Sequence, residues 1–117
     1  MASIRDVVQE LGQREGVETA VVLGRDGLPI DSFSQNGLDA DGIAALVPSL
    51  VGACDRLGQA GTRGDFTATV IEYGNGFAIV SIINAETLFA VFVRPDTNVG
   101  SILHELSKYR TAIAGLL

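Results

Sequence analysis

The residue types that most often carry chemistry are scarce in this chain, which has one histidine, His104, and one cysteine, Cys54. A Ser/His/Asp or Cys/His triad would have to run through His104. Ser101, Glu105 and Lys108 surround it at helical spacing, so it belongs to the polar face of a helix and is expected to be solvated. Cys54 falls on an apolar helical stripe, where a free cysteine behaves as a small hydrophobe. A nucleophilic role needs an electropositive setting, and the sequence offers only nearby Arg56. Asp26, Asp31, Asp39 and Asp41 gather around one hairpin and the loop that follows it. Their spacing is not that of a calcium loop, and turn and helix-cap roles account for each of them.

Two glycine-rich stretches invite a phosphate reading, "GRDGLP" at 24–29 and "GQAGTRG" at 58–64. A Walker loop needs G-x-x-x-x-G-K-[ST], and the dinucleotide fingerprint needs G-x-G-x-x-G running from a strand into a helix. The first stretch leads into another strand and the second terminates a helix, so both are loops with no helix N-terminus behind an anion. No catalytic residue, cofactor or metal site is expected.

The 117 residues, 47% of them hydrophobic, fit one domain spanning 1–117. A chain of this size buries roughly 65% of its unfolded surface and needs no staples; a single cysteine excludes an intramolecular disulfide and points to a reducing compartment. The net charge is −6, with basic residues scattered singly, which argues against nucleic acid and anionic membrane as partners. Charges at Arg5, Asp6 and Glu10 interrupt the N-terminal apolar positions, leaving no signal-peptide core, and no apolar run approaches the roughly 18 residues of a membrane span. No membrane insertion and a cytoplasmic location are expected.

These sparse polar groups must be positioned by elements that the periodicity reveals. Ser3 and Asp6 resemble a capping pair, after which Ile4, Val7, Val8 and Leu11 repeat at helical spacing towards Gly16. Strands over 17–24 and 28–34 flank "RDG", forming a hairpin. Asp39 or Asp41 then caps a long helix to about Gly61, with Pro48 near its middle, where it should bend or weaken the hydrogen-bond ladder. Strands follow over 65–73, 76–84 and 87–94, the first two joined through Gly74-Asn75-Gly76. Asp96 or Thr97 caps a last helix whose Val99, Ile102, Leu103, Leu106, Tyr109 and Ile113 share a face. The result is an α+β domain in the order αββαβββα, with a mostly antiparallel five-stranded sheet covered by helices on both faces.

The fourth and fifth strands, "FAIVSII" and "LFAVFV", are nearly continuous apolar runs and are expected at the centre of the sheet. Pro29 assigns the second strand to an edge. The third strand lies at the opposite edge if neighbours pair in sequence, and its body "FTATVI" carries no charge or proline to keep a second strand away. On the second helix Ile43, Val47, Leu50, Cys54 and Leu57 form one apolar stripe. Leu46, Val51, Ala53 and Ala60 extend it round the cylinder, a sign of a second packing surface. A homodimer pairing third strands and second helices satisfies both observations. Its interface is assigned to Ile43, Leu46, Val47, Leu50, Ala53 and Leu57 of the helix and Phe66, Thr67, Ala68, Thr69 and Val70 of the strand.

The whole pattern resembles the roadblock / dynein light chain domain family, in particular its small bacterial members of the MglB type. The likeness is carried by "AVVLGRDGLPIDS" with its D-G-L-P-I-x-S segment, the broad helix over 39–61, the three apolar strands and the closing helix. It implies a homodimer with antiparallel second helices and joined sheets. It also implies a non-catalytic regulator or scaffold that docks on a Ras-like small GTPase and, in MglB-type members, accelerates GTP hydrolysis by that partner. Carried onto this chain, the contact positions are Asp41, Ser49, Asp55, Arg56 and Gln59. Arg56 invites an arginine-finger reading, although the resemblance implies action by repositioning the partner's switch regions. Pro48 departs from the generic pattern. Two alternatives stand beside this one. The first is a small-molecule sensor of PAS-like or profilin-like topology, for which the strands offer only Ser81 and Thr67 as polar groups. The second is a structural dimerisation module without a GTPase.

Overall fold

The computed structural model describes residues 3–35 and 37–117. Its elements are α1 (Ile4–Gly12), β1 (Val17–Gly24), β2 (Pro29–Ser34), α2 (Ala40–Ala60), β3 (Ala68–Tyr73), β4 (Gly76–Asn84), β5 (Thr87–Val93) and α3 (Val99–Ala114). The capping box at α1 is formed, with Ser3 accepting from Asp6 N and Asp6 accepting from Ser3 N. That helix stops at Gly12, and the chain reverses at Gly16, whose φ of 93° suits glycine. Asp39, rather than Asp41, caps α2 by accepting from Gly42 N at 3.0 Å. The cap of α3 lies further along than Asp96 or Thr97. It is Asn98, which accepts from Ser101 N, while Thr97 N closes the preceding turn back to Arg94 O.

All strand pairs are antiparallel, in the order β2-β1-β5-β4-β3. Pro29 and the uncharged third strand thus mark the two edges, as the residues predict. β4 and β5 lie inside the sheet as expected, and β1 joins them: β5 is at the middle, flanked by β1 and β4, and β1 is as thoroughly buried as β4. β3 is shorter than its sequence run and begins at Ala68, so Phe66 and Thr67 precede it.

α1 and α3 cover one sheet face, over a core that includes Val8, Leu11, Val22, Ile79, Phe89, Val91, Leu106 and Ile113. On α3 the buried positions are Ile102, Leu106, Tyr109 and Ile113; Leu103 lies off that face and is 37% exposed, contrary to its placement from spacing alone. Arg14 clamps the two helices, with Nε donating to Tyr109 Oη at 2.9 Å and Nη2 meeting Glu105 at 3.1 Å. The hydrogen bond to Tyr109, reinforced by Glu105, raises the guanidinium pKa above its ordinary value.

α2 crosses the other face over Val21, Leu23, Val80, Leu88 and Ala90. It continues through Pro48 without a break, although Pro48 has no N–H to offer Ala44 O. The β1–β2 turn rests against that stretch, since a Cβ added at Gly27 would lie 3.5 Å from Ala44 O and 3.6 Å from Ala45 Cα. Gly76, at φ 135°, starts β4 where its Cα faces Val93 O so closely that no side chain fits. Among the described residues no helix is long and apolar enough to cross a membrane.

Candidate functional site

The inward face of α2 is Ala44, Val47 and Val51. At about 100° per residue these positions define one side of the cylinder, and Leu46, Leu50, Ala53 and Leu57 fall within about 60° of one another on another side. Leu46 is 75% exposed and Leu57 74%, while Ala53 is exposed and Leu50 half-buried. Leu46 and Leu57 lie open although the core is formed without them, while Leu50 packs partly against it. Four of the positions assigned to a dimer interface contribute to the chain's own core. Val47 is buried in it, and Ile43, Leu50 and Phe66 pack half-buried against the same cluster. A helix apolar on most sides gives no sequence cue to which side turns inward, so spacing alone sets Val47 and Leu57 on one stripe.

α2 lies over β1, β2 and β5, leaving the matching face of β3 uncovered. There Ile71 and Tyr73, with Ala78, Val80 and Phe92, form a groove of about 280 Å³ against Ile43, Leu46 and Leu50. The outer edge of β3 is open along Ala68, Thr69 and Val70, with Ala68 exposed, Thr69 half-buried and Val70 38% exposed. Thr67, just before it, is exposed and still accepts from Ile82 N through its carbonyl. Stripe and groove share the α2 side of the sheet, and the open backbone edge of β3 borders them.

The polar candidates on α2 separate into two groups. Asp55 is half-buried and accepts from Phe66 N at 3.1 Å, and Gln59 donates to Gly64 O and to Asp65, both at 3.3 Å. Both therefore hold the α2–β3 loop, in which Thr62 adopts a φ of 54° and Gly58 lies close under Gly64 O. Asp41, Ser49 and Arg56 are exposed. The Arg56 guanidinium folds over Gly52, with Nη1 3.6 Å from where a Cβ there would stand, and it makes no ion pair among the described residues.

The residues with chemical potential stay apart. Cys54 is half-buried beside Leu57, Arg63 and Phe66, and His104 is exposed on α3. Asp26 accepts from Leu28 N, Asp31 from Ser32 N and Asp39 from Gly42 N. No group of three or more His, Cys, Asp or Glu converges among the described residues. What the sequence missed is the exposure of Leu28, at 64%, and Ile30, at 47%, on the β1–β2 hairpin. The signal was present in "GLPI", two aliphatic residues around an edge-marking proline.

A single antiparallel five-stranded sheet, with two helices on one face and one long helix on the other, defines a small α+β domain. The chain belongs to the Roadblock/LC7 domain family, whose model matches residues 3–92. Among solved structures it is similar to MglB of Myxococcus xanthus, with a TM-score of 0.88 at 18% identity, covering 97% of this chain and 86% of that one. A Roadblock/LC7 domain from Streptomyces avermitilis gives a TM-score of 0.85 at 26% identity, covering 96% and 95%. An uncharacterised protein of Methanocaldococcus jannaschii is 29% identical over 96 residues, 82% of this chain and 83% of its own length.

Proposed function

We propose that this chain is a non-catalytic homodimer that regulates or scaffolds a Ras-like small GTPase. The observation that carries the dimer is the exposed stripe beside an unguarded strand edge. The stripe is symmetric about its own midpoint, with Leu46 matched to Leu57 and Leu50 to Ala53. An antiparallel copy of α2 therefore meets large residues with large at the ends and Leu with Ala in the middle, as an isologous contact requires. Antiparallel addition of a second β3 proceeds about an axis perpendicular to the sheet, so it brings both α2 helices to the same face. The two associations are then one. The groove between α2 and β3 is lined by aliphatic and aromatic side chains, with the Tyr73 hydroxyl its main polar group. Such a lining suits side chains of a second copy better than the metabolite of a sensor, which needs several convergent polar groups.

The GTPase assignment is supported by membership of the Roadblock/LC7 family, by the shared fold with an MglB, and by the exposed Ser49 and Arg56 beside the stripe. The chain supplies a surface, and the hydrolytic machinery belongs to its partner. Light scattering on the purified chain should give twice the monomer mass at micromolar concentration. Adding the chain to Ras-like GTPases of the source organism should then change the GTP turnover of one of them, or hold it in a stable complex. A monomer at micromolar concentration sinks the proposal.

A further inference from the structure

We infer that the bare β3 edge pairs with that of a second copy in one fixed register, Val70 opposite Val70, about a two-fold axis shared with the midpoint of the α2 stripe. This rests on the dimer proposed above and adds to it which backbone groups join the sheets.

The edge is phased by its pairing with β4. Ile82 N donates to Thr67 O at 3.0 Å, and the register continues with Ala68 opposite Ser81 and Tyr73 opposite Gly76. Bonded and non-bonded pairs alternate along an antiparallel ladder, so Thr67, Thr69, Ile71 and Tyr73 turn their backbone groups towards β4. Those of Ala68, Val70 and Glu72 point outwards, where another strand can reach them.

The ends of β3 then select the centre. With the axis at Val70, the two Val70 residues exchange bonds and Ala68 exchanges them with Glu72 on either side, so every outward group of the strand is used. An axis at Thr69 would set Glu72 against Phe66, whose N–H is already donated to Asp55 at 3.1 Å. An axis at Ile71 would set Ala68 against Gly74, which lies in the β3–β4 turn. An axis at Glu72 would bring two carboxylates face to face.

The helix points to the same centre. Ile43, Leu46 and Leu50 border a groove with Ile71 and Tyr73, whereas Cys54 and Leu57 border a second one with Thr67, Ala68 and Thr69. The midpoint of the stripe, between Leu50 and Ala53, therefore stands level with Val70, and one axis serves both elements. The same register sets Thr67 of the second copy across from Tyr73, so each groove gains a side chain from the other chain.

The test uses the full chain with Cys54→Ser removing its own thiol. In the inferred register Thr69 faces Ile71 of the second copy in a non-bonded pair, with Cα atoms about 4.5 Å apart and within disulfide reach. Each of these residues lies about 7–8 Å from its own counterpart, beyond that reach. Under mild oxidation, an equimolar mixture of Thr69→Cys and Ile71→Cys chains should form covalent dimer at least about tenfold faster than either variant alone. In the wild type, the amides of Ala68, Val70 and Glu72 should slow together in hydrogen exchange as rising concentration forms the dimer, and this decides the matter if the variants fail to fold. Rapid cross-linking of either variant alone, or exchange protection that spares one of those amides, moves the axis and overturns the register while the dimer stands. A dimer by light scattering with neither cross-linking nor slowed amides excludes β3 from the interface and also overturns it. A monomer at micromolar concentration removes the dimer and the register together.

Discussion

Leu46→Ala is the sharpest probe of the proposed dimer, because its effects on folding and on association have opposite signs. Leu46 is 75% exposed, so its removal leaves the chain's own core intact, and alanine is at least as good a helix former. Fully burying a leucine is worth about 1.5–3 kcal/mol, and three quarters of that is gained when a second copy covers the side chain. Two-fold symmetry counts the loss twice, giving about 2–4 kcal/mol for the dimer, or some 30- to 1,000-fold in its dissociation constant. Sedimentation equilibrium over a dilution series measures that constant directly, and thermal unfolding at low concentration checks that the monomer is no less stable. A dissociation constant within about threefold of wild type would refute the stripe as an interface, since a change that small is under about 0.7 kcal/mol.

Val70→Lys tests the strand edge independently of the helix. The two lysines would approach each other near the two-fold axis and act as the edge guard that β3 lacks, so a monomer is expected by light scattering with circular dichroism unchanged. Asp39→Ala removes the cap of α2 and should cost about 1 kcal/mol in urea unfolding. Gly76→Ala forces a side chain into a left-handed backbone and against Val93 O, and should cost about 1–3 kcal/mol by the same measurement. A neutral result at Gly76 would mean that the β3–β4 hairpin is not as described.

The elements and both edges of the sheet were legible because each depends on local chemistry: the Ser3–Asp6 box, the Gly74-Asn75 turn, the proline in β2 and the bare body of β3. The position of β1 beside β5 was not, since it is a pairing between residues some 70 apart, such as Val21 with Ala90, and no local pattern encodes it. The site was half legible. Breadth of hydrophobicity announced that α2 has a second surface, but on a helix apolar nearly all round, only the sheet beneath decides that Val47 turns inward and Leu46 outward. Asp55 and Gln59 read as free polar residues because their loop partners, Phe66 N and Gly64 O, are backbone groups with no signature in the sequence.

The unequal treatment of the two sheet edges sets how far assembly can go. A chain with two bare edges is a monomer for an endless ribbon, each addition exposing a fresh template. Here the β2 edge carries Pro29 and a register shift, and only the β3 edge is bare. In the proposed dimer, growth by strand addition would consume the one bare edge in its first step, so the sheet would double and then stop, with no fresh template left for a fibre.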